Sequence, residues 1–302
     1  MHNLLEFLKM PEGIYIPFFG WRWYYLITKF ENRYLKKCQI PDKPLNDQPR
    51  ERLVIASMTS YPARINTVYY AIKSLMLQTY KPDKIILWLA ESQFENQLLP
   101  ENIIELEDKG LEIRYCPDLK SHKKYYYAML EQENNLLITY DDDIIYPSDS
   151  IEQLMKYHKK YPECVICNRG FEILFDKNGN VIDEKKWKII TNEGINKPSI
   201  KIMPSTGGGC LYPPNAVSEK VFDWELIKAN ALTADDLWMK AMGLLKGTKV
   251  VKTSKYSKTL SLVENSQNEH LGYINIIQGQ NNVVVKNLLN LFPSLFDEVK
   301  KK

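Results

Sequence analysis

Between Leu53 and Lys160 the chain alternates short apolar runs with stretches of helical spacing, and few folds accommodate that rhythm. Residues 53–58 (LVIASM), 84–89 (KIILWL), 111–115 (LEIRY) and 136–140 (LLITY) read as strands. Between them, residues 64–78 place Ile65, Val68, Ile72, Leu75 and Met76 on one helical face. Residues 98–109 read as a helix stopped by Gly110, and residues 123–131 as another. Residues 149–160 open on Asp149 with Glu152 three positions later, the pattern of a capping box. Strands separated by helices pair in parallel through crossover connections. The expectation is an α/β fold, a sheet flanked by helices, with its ligand beyond the carboxyl ends of the strands.

After residue 161 the rhythm changes. Residues 164–167 read as a short strand, and 171–175 and 181–182 flank Asn178-Gly179, a turn signal. Antiparallel pieces joined to a parallel half predict a mixed sheet. A last helix is expected from about Val283, ended by Pro293. Residues 40–52 carry three prolines among many charges and read as a linker. The chain therefore divides into an aromatic-rich appendage with linker at 1–50, a main domain at 51–260, and a C-terminal segment at 261–302 that closes over the site.

With 302 residues and a net charge of +3, the chain shows no strong basic patch, which argues against nucleic acid as a partner. Its five cysteines are odd in number and irregular in spacing, as in a reducing cytosol. The Cys164-x-x-Cys167 pair stands alone in an apolar run and reads as core. No leader is evident, so a cytoplasmic location is expected. The most apolar run, residues 14–27, contains Pro17, Gly20 and Arg22 and falls short of the roughly 20 residues of a spanning helix. Phe18, Phe19, Trp21, Trp23, Tyr24 and Tyr25, with Arg22 and Lys29, suit peripheral contact of residues 14–29 with the inner face of the cell membrane. Packing on the main domain or a partner subunit is the plain alternative.

Chemistry concentrates where the fourth strand ends, at Asp141-Asp142-Asp143. Carboxylates about 4 Å apart repel by about 1 kcal/mol per pair in water and more near protein. A divalent cation is the expected remedy: Mg²⁺ or Mn²⁺ takes a few protein oxygens and completes its shell with phosphate and water. Asp141 and Asp143, at i and i+2, are expected to project the same way, one to the metal and one to a ribose hydroxyl. A solvated acidic loop is the alternative. A second pair, Asp235-Asp236, opens a helical stretch as a cap or as a general base for a sugar hydroxyl. Residues 205–210 (STGGGC) allow close approach to a ligand, or form a tight turn. Residues 59–64 (TSYPAR) follow the first strand, where a base would sit against Tyr61. Lys123-Lys124 can reach a diphosphate or stay solvated. His270 is a structural histidine or a third metal ligand.

Taken in order, SMTSYPARI (57–65), PDKIILWLA (82–90), SHKKYYYAM (121–129), ITYDDDIIYP (138–147), GGGCLYPP (207–214) and ADDLWMKAM (234–242) resemble bacterial family 2-like glycosyltransferases of GT-A type from capsule and lipopolysaccharide synthesis. The resemblance runs from about Leu53 to Pro293. It implies a nucleotide-diphosphate sugar donor, commonly a UDP-sugar, a saccharide or lipid-linked acceptor, and Mn²⁺ or Mg²⁺ on Asp141 and Asp143 with His270 as a further candidate. It also implies a nucleoside pocket lined by Thr59, Tyr61 and Arg64, with Lys124, Asp141, Asp142, Gly208 and Gly209 along the rest of the donor. Asp235 or Asp236, with Asp236 preferred, is the implied base of an inverting displacement. Asn275 and residues 279–282 (GQNN) resemble the family's ending, with Asn282 where Asp is common. Two rivals remain: a nucleotidyltransferase, which would carry a Gly- and basic-rich loop where TSYPAR stands, and a non-catalytic sugar-binding scaffold.

Overall fold

A computed structural model describes residues 17–95, 98–189, 196–254, 260–266 and 279–300. Its main sheet has seven strands. In chain order the strands are β1 (Val54–Thr59), β2 (Lys84–Ala90), β3 (Leu111–Cys116), β4 (Leu136–Tyr140), β5 (Ile144–Ile145), β6 (Val165–Cys167), β7 (Gly170–Glu172), β8 (Lys188–Ile189), β9 (Ile202–Pro204), β10 (Gly208–Tyr212), β11 (Val250–Lys252) and β12 (Ser261–Leu262). The large sheet runs β11-β6-β10-β4-β1-β2-β3. β1 pairs in parallel with β2 and β4, and β2 with β3. β10 enters antiparallel between β4 and β6. The fold is thus a mixed α/β sheet flanked by helices.

Burial on both faces explains why β1 and β4 read as continuous apolar runs rather than alternating ones. Along β1, Val54, Ala56 and Met58 join one core cluster while Ile55 joins the other. The first cluster also takes Ile72 and Leu75 from the helix Val68–Met76 and Leu154 from the helix Ser150–Lys160. The second takes Tyr125 and Ala128 from the helix Lys123–Glu131 and Trp238, Ala241 and Met242 from the helix Asp235–Lys246. Two helical layers thus sandwich the sheet and fix the carboxyl ends of β1 and β4 side by side. The five cysteines are unpaired, and Cys164 and Cys167 are buried.

Several expectations meet a different outcome. Residues 98–109 do not form one helix: only Glu101–Ile104 is helical, after Pro100, and turns follow to Gly110. Of that stretch Ile103 and Leu106 are buried, too little apolar surface to hold three turns against the sheet. The side chain of Asp149 does not cap its helix. The proline-rich stretch is pinned rather than loose. Arg50 pairs with Asp83 at 2.8 Å, Asn46 Nδ2 donates to Asp83 at 2.7 Å, and the Val54 N–H donates to the same carboxylate at 2.7 Å. The turn at Asn178-Gly179 is present, but only an isolated bridge, Phe175 to Val181, flanks it. The helix expected from about Val283 starts earlier, spanning Gln280–Leu291, and ends before Pro293 as expected; a short helix, Asp297–Lys300, follows it.

The helix Pro17–Lys37 packs on β12. Tyr24 Oη donates to Leu260 O at 3.1 Å, and Asn32 Nδ2 donates to Leu262 O at 2.9 Å. Asn32 Oδ1 accepts from the Glu264 N–H at 2.8 Å. β12 in turn pairs antiparallel with β5, immediately after the acidic triplet. Among the described residues, no helix is long and apolar enough to cross a membrane.

Candidate active site

β4 stops at Tyr140, and the chain turns at residues 142–143. The strand alternation expected to align Asp141 with Asp143 therefore ends one residue too early. The two side chains reach different cations. Asp141 Oδ1 meets Lys124 Nζ at 2.7 Å, whereas Asp143 Oδ2 meets Arg64 Nη1 at 3.1 Å. Asp142 is buried, with Arg64 Nη1 on one oxygen at 2.7 Å and Ser60 Oγ on the other at 2.6 Å. The repulsion within the triplet, expected to need a metal, is offset here by Arg64 and Lys124. Burial works against the Arg64 charge, but Asp142 and Asp143 more than offset it and hold its pKa above the ordinary arginine range.

Lys124 stands in the first turn of its helix and is itself buried, with Ser57 Oγ donating to its carbonyl at 2.6 Å. Its ammonium bridges Asp141 and, at 2.9 Å, Asp235 Oδ2. Burial disfavours that charge, yet Asp141, Asp235 and Asp236 outweigh it and raise the pKa well above that of a free lysine. Lys123 turns away to Asp118 at 2.8 Å, so only one lysine of the pair faces the site. Behind them His122 is fully buried, its Nε2 2.9 Å from Ala231 O and its Nδ1 2.8 Å from Tyr125 Oη. A carbonyl only accepts, so Nε2 carries the proton and Nδ1 accepts from the phenol. Burial keeps this imidazole neutral.

Asp235 and Asp236 begin the helix Asp235–Lys246, whose N-cap is Ala234 with no side-chain cap. Neither carboxylate caps the helix; both turn to Thr206. The Thr206 N–H donates to Asp236 Oδ1 at 2.9 Å, and Thr206 Oγ1 stands 2.7 Å from Asp235 Oδ2 and in closer contact with Asp236 Oδ1. One hydroxyl proton cannot serve both acids. The second contact is satisfied when Asp236 itself holds a proton. The two acids are driven apart accordingly. Burial disfavours the Asp235 anion, but the Lys124 ammonium outweighs it and pushes its pKa below the usual carboxylate range. Burial and then the Asp235 charge push Asp236 up to about 7.

The glycines close the site from β10. A Cβ on Gly207 would overlap the Asp141 carboxylate, so glycine is required there. Tyr146 locks the approach: its Oη accepts from the Asp141 N–H at 2.8 Å and donates to Gly207 O at 2.6 Å. Gly208 and Gly209 are buried in the strand rather than open to a ligand. Gly209, at φ +88°, makes the register shift between Gly208 and Cys210 possible.

Of the expected nucleoside residues, Thr59 Oγ1 donates to Trp88 O at 2.8 Å, and the Tyr61 ring lies 5.6 Å from the Arg64 guanidinium. Both stand beside the triplet at the end of β1. Asn281 and Asn282 instead bond to Glu184, at 2.5 and 3.2 Å. His270 and Asn275 lie outside the described residues. Arg169 carried no motif, yet its charge interacts with Asp236 and Asp141. Burial pulls its pKa down, and its Nε has no hydrogen-bond partner among the described residues. An arginine between a strand and Gly170, inside an otherwise apolar run, was the one available signal.

Among the described residues no three His, Cys, Asp or Glu side chains group as a ready-made metal cage. The donor set nevertheless fits a cation that takes few protein oxygens. Asp141 has a side chain 39% exposed, with one oxygen on Lys124 and the other beside Gly207. Five carboxylates, at 141, 142, 143, 235 and 236, face three cations, Arg64, Lys124 and Arg169. The surplus of negative charge suits a hard divalent ion.

No family model matches the chain, and no curated protein matches it by sequence. Among solved structures it is similar to a mannosyltransferase from Pyrobaculum calidifontis in complex with GDP-Man and Mn²⁺. The two are 13% identical with a TM-score of 0.46, over 99% of this chain and 79% of that one. At that depth the likeness carries nothing about donor, acceptor or metal.

Proposed function

We propose that this chain is a metal-dependent GT-A type glycosyltransferase that moves a hexosyl group from a nucleoside diphosphate donor to a hydroxyl of a saccharide or lipid-linked acceptor. The observation that carries the reading is the division of labour between the paired acids. Asp235 is an anion committed to Lys124, while Asp236 titrates near neutrality beside the open Asp141 carboxylate. A group with that pKa is matched to general-base work at physiological pH.

Asp236 accepts the proton of the acceptor hydroxyl as its oxygen forms a bond to the anomeric carbon. The bond from that carbon to the diphosphate oxygen breaks, its electron pair leaves with the diphosphate, and the configuration inverts. Asp141 and Asp143 would hold Mn²⁺ or Mg²⁺, which supplies charge neutralisation for the leaving diphosphate. Lys124 orients Asp141 and keeps Asp235 charged. Arg64 holds the turn that presents Asp143. Thr59 and Tyr61 border the nucleoside. The uridine form of the donor rests on the family resemblance alone.

Calorimetric titration of UDP and GDP with and without Mn²⁺, followed by nucleotide release from a panel of UDP- and GDP-sugars, tests this. Metal-dependent nucleotide binding that Asp141→Ala abolishes and Asp143→Ala weakens at least tenfold is the expected result. Absence of metal-dependent binding overturns it in favour of a non-catalytic scaffold. Release of pyrophosphate without sugar transfer overturns it in favour of a nucleotidyltransferase.

A further inference from the structure

The helix Pro17–Lys37 buries one side and presents the other to solvent. Tyr24, Thr28, Asn32 and Leu35 face the protein, the first three through hydrogen bonds to residues 260–264 and the last in the core. On the opposite side Leu26, Phe30 and Tyr34 are 56, 44 and 42% exposed, and Tyr25, 61% exposed, stands at the edge of that face beside residues 262–264. Among them lie the exposed cations Lys29, Arg33 and Lys37. The helix holds five basic residues and one acidic residue, Glu31, a net charge of +4, against +3 for the whole chain. The rest of the protein is thus close to neutral, and the chain's net positive excess comes from this element.

We infer that this outward face lies in the interface of an anionic lipid bilayer. Apolar and aromatic side chains at helical spacing, flanked by cations, bury into the headgroup boundary while the cations meet lipid phosphates. An exposed stripe of this composition costs hydration if left in water, and its net positive charge selects a negative surface over a neutral one. The placement also has a direction. From the helix, hydrogen bonds run through Asn32 to β12, from β12 to β5, and from the Val263 N–H to Asp143 O at 2.8 Å. A docked helix therefore sets the acidic corner close to the bilayer. Resting on the function proposed above, this narrows the acceptor to a lipid-linked one. Docking itself is read without turnover, so the two readings fail separately.

The test is sedimentation of the full chain with vesicles of phosphatidylcholine alone or mixed with phosphatidylglycerol. The protein should pellet with the mixed vesicles, weakly with neutral ones, and less as salt is raised. Lys29→Gln with Arg33→Gln should lower partitioning roughly 30-fold, at about a tenfold loss or less per cation. Leu26→Ser with Phe30→Ser should lower it at least as much, and neither pair should shift the melting temperature, since these side chains touch solvent. Equal binding to neutral and mixed vesicles, or no binding to either, overturns the inference. A concentration-dependent dimer that Phe30→Ser dissociates, without vesicle binding, also overturns it and assigns the face to a second copy of the chain.

Discussion

Asp236→Asn separates the catalytic from the structural reading of the paired acids. The asparagine keeps the shape of the aspartate, and its Oδ1 can still accept the Thr206 N–H that Asp236 accepts at 2.9 Å. What it removes is the ability to take a proton. Turnover should fall by about 10²- to 10⁴-fold, the contribution of a positioned base, while metal-dependent nucleotide binding stays unchanged. Stability should move the other way. The pKa of Asp236 is raised to about 7 by burial and the Asp235 charge. A raised folded pKa means stability that is full below the unfolded value near 4 and is lost as pH rises through about 7. The penalty of ionising Asp236, from burial first and the Asp235 charge second, is on the order of a few kcal/mol above pH 7. The variant escapes it, so its urea midpoint should match wild type near pH 4 and exceed it at pH 8. Wild-type activity should rise with pH through about 7, and that limb should vanish in the residual activity of the variant. A variant that loses stability and turnover together at every pH would refute the base assignment and leave Asp236 as a structural partner of Thr206.

Two further substitutions probe the frame around it. Gly207→Ala sets a methyl against the Asp141 carboxylate; it should cost about 1–3 kcal/mol and sharply weaken metal-dependent nucleotide binding, whereas normal binding would show that Asp141 does not face the ligand. Lys124→Met leaves Asp235 buried without its cation; urea unfolding should show a loss of about 3–5 kcal/mol, and an unchanged midpoint would mean that the bridge to Asp141 and Asp235 is incidental.

Much of the scaffold was readable from pattern alone, because the first half of the chain is locally consistent. β1, β2, β3, β4 and the helix Lys123–Glu131 fall within a residue or so of where spacing places them. Each presents apolar residues at the period of its own element, and each buries what it presents. Residues 98–109 misled because two buried side chains, Ile103 and Leu106, at helical spacing resemble a helix until Pro100 is weighed. β10 was hidden for a different reason. Its two glycines and Gly207 before it read as a loop, yet Gly207, Gly208 and Gly209 are needed because Asp141, Arg169 and Tyr140 crowd the backbone there. A pattern method sees the missing side chains and not the neighbours that exclude them.

The site divides the same way. Its acids were legible as local runs, 141–143 and 235–236, but their states were not, since each state is set by a residue distant in sequence. Lys124 reaches Asp235 on the neighbouring helix of the same layer, and Thr206 brings Asp236 beside it. That long-range wiring also changes what the triplet means. Three adjacent carboxylates looked like a demand for one metal ion, and two protein cations meet most of that demand. Arg64 is held through Nη1 by both the buried Asp142 and Asp143, and so is a poor candidate for release. Lys124 is different, because it holds one oxygen of an exposed carboxylate and has a second acid, Asp235, to fall back on. A cation arriving at Asp141 therefore competes with an ammonium that loses little by shifting to Asp235. The displaced positive charge would move toward the paired acids and lower the tendency of Asp236 to hold its proton. Occupation of the diphosphate end and readiness of the base are in this way coupled through a single lysine.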